Sequence, residues 1–79
     1  MTMPEDLDAL FDQMITQQRA RVLALARRLN PRMTPDDVLS PHDIPELAGD
    51  PRFNFEDGLL AGLISAQMAV RAHLRGPPG

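Results

Sequence analysis

Apolar residues recur in the first third of the chain at Leu7, Phe11, Met14, Ile15, Val22, Leu25 and Leu29, spacings that fall on one stripe of a helix. Gln18 sits at the centre of that stripe. The series 7, 11, 14, 18, 22, 25, 29 alternates fours and threes as a coiled-coil seam does, and one amide in mid-seam sets register and oligomer state. An amide at a solvated gap, facing the connector or water, gives the same pattern. Thr2 followed by Glu5 has the capping-box form, Pro4 suits a first turn, and Asn30-Pro31 ends the periodicity. The pattern predicts a helix over 3–29.

From residue 30 to 54 the pattern breaks. Pro31, Pro35, Pro41, Pro45 and Pro51 are too closely spaced for a long helix or a strand. Thr34-Pro35-Asp36-Asp37, Ser40-Pro41-His42-Asp43 and Asp43-Ile44-Pro45-Glu46 each pair a capping residue with an acid three positions on, which predicts single helical turns. Val38, Leu39, Ile44 and Leu47 are their expected anchors. Asn54 then reads as the cap of a second long helix over 55–75, followed by a frayed tail, 76–79.

The second helix carries no charge from Gly58 to Val70, which implies covering on more than one side. Phe55, Leu59, Leu60, Leu63, Ile64, Val70 and Leu74 form a broad apolar arc; Gly58, Ala61, Gly62, Ser65, Ala69 and Ala72 form an opposing strip of small residues. Such a strip allows close helix approach, although an alanine-rich solvent face looks similar. Glycine costs about 1 kcal/mol relative to alanine inside a helix, so Gly62 asks for a reason, whereas Gly58 is closer to the helix start.

Charge selects the orientation. Both helices run from acid to base, so antiparallel packing sets Glu5, Asp6 and Asp8 beside Arg71 and Arg75, and Arg27 and Arg28 beside Glu56 and Asp57. The expected fold is all-α: an antiparallel helical hairpin with a Pro-rich connector. Two rods of this kind cannot enclose a core alone, but two hairpins can, as a homodimeric four-helix bundle. At 79 residues, with no cysteine for a disulfide or a thiolate metal site, the chain is expected to form one domain and to gain from a partner.

All eight basic residues are arginines and the net charge is -3, a balance that argues against nucleic acid or anionic membrane as a partner. The acidic amino terminus argues against a secretory signal, and the longest uncharged run is too short for a membrane span, so a cytoplasmic setting is expected. Chemistry-bearing residues are few. His42, Asp43 and Glu46 read as capping and surface residues ahead of metal or acid–base use, and His73 sits in a last turn. No Glu-x-x-His pair supports a di-iron bundle. No cofactor and no enzymatic activity are expected. The favoured expectation is a protein–protein interaction module that pairs with itself and with another protein. Its candidate interface residues are Phe11, Gln18, Val22, Phe53, Phe55, Gly58, Gly62, Ser65 and Ala69, with Phe53 exposed. The alternative is a small-ligand or metal carrier using the bundle interior around Gln18.

Overall fold

A computed structural model describes residues 4–76, with side chains from residue 6 onward. Of these residues 82% are helical and none is in a strand. Helix α1 spans Pro4–Leu29, a four-residue helix α2 spans Pro45–Ala48, and helix α3 spans Pro51–Leu74. Short 3-10 turns at Asp37–Leu39 and Pro41–Asp43 precede α2. The cap expected at Thr2 lies outside the described residues, as does the tail beyond Gly76. At the far end Gly76, at φ +87°, takes the left-handed conformation that closes a helix without a Cβ clash.

The start of α3 corrects the expectation of a helix from residue 55 capped by Asn54. Asp50 is the cap: its carboxylate accepts from the Phe53 backbone N–H at 2.7 Å, and Pro51 occupies the first helical position. A proline there forfeits no bond, because the first-turn N–H groups lack intrahelical partners anyway, and its fixed φ suits the helix. Pro51 therefore starts α3 rather than interrupting the connector. Asn54 instead lies one turn inside, its amide donating to the Ala48 carbonyl at 3.1 Å.

Of the three expected capped turns, one forms as a capping box. The Thr34 N–H donates to the Asp37 carboxylate at 2.9 Å and the Asp37 N–H to the Thr34 hydroxyl at 3.3 Å. Neither Ser40 nor the start of α2 has a side-chain cap. Backbone bonds hold those turns instead, among them Ile44 N–H to Pro41 at 3.1 Å and Ala48 N–H to Ile44 at 2.9 Å.

The connector completes the core. Val22 and Ala26 of α1, Met33 and Leu47 of the connector and Phe53 of α3 are buried together, with Leu25, Val38, Ile44 and Leu60 packed against them. Phe53 is 0% exposed, which corrects its expected place on the surface. The cause is the earlier helix start, which puts Phe53 in the first turn of α3, where it joins Leu47 and Ala26 in the core. Burying a side chain of this size stabilises by about 1.5–3 kcal/mol. The core thus sits at the turn end of the hairpin.

Towards the open end the α1–α3 seam becomes polar. Gln18 reaches Glu56, Gln67 reaches Asp12, and Arg71 reaches Asp8, pairings whose reversed order shows the helices to be antiparallel. The hairpin is long for its mass, with extents of 46 × 25 × 19 Å. Its radius of gyration is 15.3 Å, against about 11.6 Å for a compact 79-residue domain.

Candidate interaction surface

Two buried glutamines tie the rods together. Gln18 is 7% exposed, and its Nε2 donates to the Glu56 carboxylate at 2.7 Å and the Glu56 backbone carbonyl at 2.8 Å. Both amide hydrogens are thus used within one chain. Gln18 therefore lies in the chain's own α1–α3 seam, bonded to Glu56. Gln67, 6% exposed, donates to Asp12 at 2.7 Å and more weakly to Asp8 at 3.4 Å. Sequence reasoning passed over Gln67, although the signal resembled that of Gln18: a lone amide in line with Leu60, Ile64, Val70 and Leu74 on the inward arc.

Beside Gln67 the open end closes with a two-pronged ion pair. Arg71 Nε meets Asp8 Oδ1 at 2.6 Å and Arg71 Nη2 meets Asp8 Oδ2 at 3.0 Å, with Asp12 at 3.8 Å. Hydrogen bonding to the guanidinium holds the Asp8 carboxyl below its ordinary range, and the same bond raises Arg71. This matches the expected pairing of acidic and basic ends for Asp8. The pairing expected at the turn end does not form. Arg27 instead donates to the Met33 carbonyl at 3.0 Å, because the connector folds back within its reach and Gln18 occupies Glu56.

The candidate interface residues fall into two sets. Val22 and Phe53 belong to the chain's own core, Gln18 to its inner seam, and Phe11 is half-buried. Phe55, Gly58, Gly62, Ser65 and Ala69 are set apart from that core on α3, and Phe55, Gly62, Ser65 and Ala69 are exposed. A Cβ added at Gly58 or Gly62 meets nothing within 4 Å, so neither glycine serves a close helix crossing inside the chain. Phe55 is 65% exposed and Met68 62%, and Leu59 is exposed as well. On α1, Leu10 and Met14 are also exposed.

The two flanks of the hairpin differ. On one, the connector and both rods border an apolar groove of about 520 Å³ lined by Val22, Leu23, Val38, Leu39, Leu60 and Ile64, with Arg19, Asp36 and Asp57 beside it. Helical phase, at about 100° per residue, places Leu10 and Met14 of α1 and Phe55, Leu59, Gly62 and Ala66 of α3 on the opposite flank. No described connector residue covers that middle stretch. The uncharged run expected to need covering on two sides is therefore covered on one.

Among the described residues no three His, Asp or Glu side chains stand close enough to hold a metal ion, so His42, Asp43 and Glu46 do not converge. No described helix is long and apolar enough to cross a membrane. Comparison of the chain with protein-family models, with curated proteins and with solved structures finds no match.

Proposed function

We propose that this protein is a small non-enzymatic interaction module that acts as a homodimer and, in that form, as an adaptor or regulator for another protein, in a cytoplasmic setting. The observation that carries this reading is the outer surface of α3. Phe55 and Leu59 stand in solvent one turn apart on a helix with no charged side chain between Asp57 and Arg71. Contiguous apolar surface of this kind marks interaction sites on soluble proteins. Light scattering at micromolar concentration tests the proposal, with twice the chain mass expected and a melting temperature that rises with concentration. A monomer whose melting temperature ignores concentration would refute it.

A second reading is supported by the groove. Its volume of about 520 Å³ and its mainly aliphatic lining suit a small apolar ligand. Carriage there would use the connector side rather than the surroundings of Gln18. Native mass spectrometry of protein purified from its own host separates the readings, since an added small mass on a monomer favours the carrier and a bare dimer favours the module.

A further inference from the structure

The flank opposite the connector has a charge of its own. By helical phase, at about 100° per residue, Leu10, Met14, Gln17, Arg21, Leu25 and Arg28 form one line along α1, and Arg52, Leu59, Leu63, Ala66 and Val70 form the facing line along α3. The two lines border a groove whose middle is apolar, with Leu10, Met14 and Leu59 exposed. Its turn end is basic. Arg21, Arg28 and Arg52 are exposed there, and none of the three forms an ion pair among the described residues. At the same end the groove deepens into a cleft of about 430 Å³ lined by Leu25, Arg28, Leu29, Asp50, Pro51 and Arg52.

The acids closest to these arginines in the two helices are already engaged. Asp50 caps α3 through the Phe53 N–H, and Glu56 accepts from Gln18. Asp36 and Asp57 border the other groove. Asp6 falls near the α1 line at its opposite end, about 22 Å from Arg21 at 1.5 Å per residue. A chain of net charge -3 thus turns three unpaired arginines towards the one flank that the connector leaves open.

We infer that this flank binds an amphipathic helix of another protein, apolar along one face and acidic in its first turns, which lies in the groove parallel to α3. This rests on the reading above that the protein acts on another protein, and it names that partner's chemistry. The groove between two packed helices accepts a third through its apolar face, in the helix-in-groove mode. From Leu10 to Arg28 the α1 line runs about 27 Å, the length of a helix of about 18 residues. Charge fixes sign and direction. Carboxylates at the turn end meet Arg21, Arg28 and Arg52, and a helix carries acids most favourably at its N-terminus, so the partner starts where α3 starts. An anionic lipid surface suits the flank less, because it meets the field of the whole negative chain and its plane does not enter the cleft.

The probe is a labelled synthetic 18-residue amphipathic helix with leucines at the i, i+3, i+4 and i+7 positions and three glutamates in its first two turns; the control carries lysines in place of the glutamates. Anisotropy titrations are expected to show the glutamate peptide binding the parent about tenfold more tightly than the control, since three exposed pairs contribute roughly two- to threefold each, with a preference that shrinks as salt rises. A chain with Arg21→Glu, Arg28→Glu and Arg52→Glu together is expected to keep its helical circular dichroism and to prefer the lysine peptide. Met14→Glu, at an exposed position in the apolar middle, should weaken both peptides. Absence of binding, equal binding of the two peptides, or a preference unchanged in the triple variant overturns the inference. So does parent protein that ignores the peptides and sediments with phosphatidylglycerol vesicles, which would make the flank a lipid surface. Light scattering of the parent separates this result from the homodimer: a dimer that ignores both peptides overturns the helix partner and leaves the homodimer standing, whereas a monomer that binds the glutamate peptide does the reverse.

Discussion

Gln18 offers the sharpest test of the hairpin's inner seam, because the expectation from periodicity and the observed structure give opposite signs. If Gln18 faced another Gln18 across a two-fold axis, Gln18→Leu would raise stability and loosen assembly. In the structure its amide instead spans α1 and α3, bonded at 2.7 Å to the Glu56 carboxylate and at 2.8 Å to the Glu56 carbonyl. A neutral hydrogen bond contributes about 1 kcal/mol and one to a charged group about 1.5–3 kcal/mol. Glu56 is half-buried and regains water once freed, which roughly halves the second figure. Loss of one buried methylene adds about 0.8 kcal/mol. Gln18→Ala should therefore cost about 3 kcal/mol, a large part of the roughly 4–12 kcal/mol expected of a domain this size. Gln18→Leu restores the apolar volume and should cost about 1 kcal/mol with no change in mass. Urea titrations at one fixed chain concentration measure both. A double-mutant cycle with Glu56→Ala should return a coupling of about 1 kcal/mol. Coupling near zero, or a Gln18→Leu protein more stable than its parent, would show that the two side chains do not meet.

The two ends of the hairpin yield further expected outcomes. The folded-state pKa of Asp8 lies below its unfolded value because Arg71 stabilises the carboxylate, so its contribution is complete above the unfolded pKa and is lost as pH falls through the folded one. Melting curves taken from about pH 6 downward should show the parent losing more below about pH 4 than Asp8→Asn does, and equal losses would remove the ion pair from the account. At the other end, Asp50→Ala should cost about 1 kcal/mol through loss of the cap on α3, whereas Asn54→Ala should cost less because its amide bond is exposed; the reverse order in urea midpoints would return the helix start to Asn54.

Much of the architecture is local in origin and was legible without coordinates. The apolar period of α1, the proline spacing of the connector and the uncharged run of α3 each limit what their own segment can form, whatever packs against it. The acid-to-base order of both long helices also selected antiparallel packing, and Asp8 with Arg71 bears it out. The start of α3 was open to two local readings, because a proline such as Pro51 can equally close a connector or open a helix. Only the bond from Phe53 N–H to Asp50 chooses between them, and that choice moves Phe53 from the surface into the core.

Tertiary structure alone decided where the polar residues of the two stripes point. Gln18 and Gln67 each occupy an apolar line on their own helix, and a one-dimensional pattern cannot tell an amide facing its twin from one facing an acid 38 or 55 positions away in sequence. The uncharged run of α3 likewise raises the expectation of cover on two faces, but which face α1 takes depends on register and helix phase. Once α1 takes the line through Phe53, Leu60 and Gln67, the small-residue strip and Phe55 are left outside. The open space around Gly58 and Gly62 results from that assignment, and it gives the unsatisfied face of this hairpin its position.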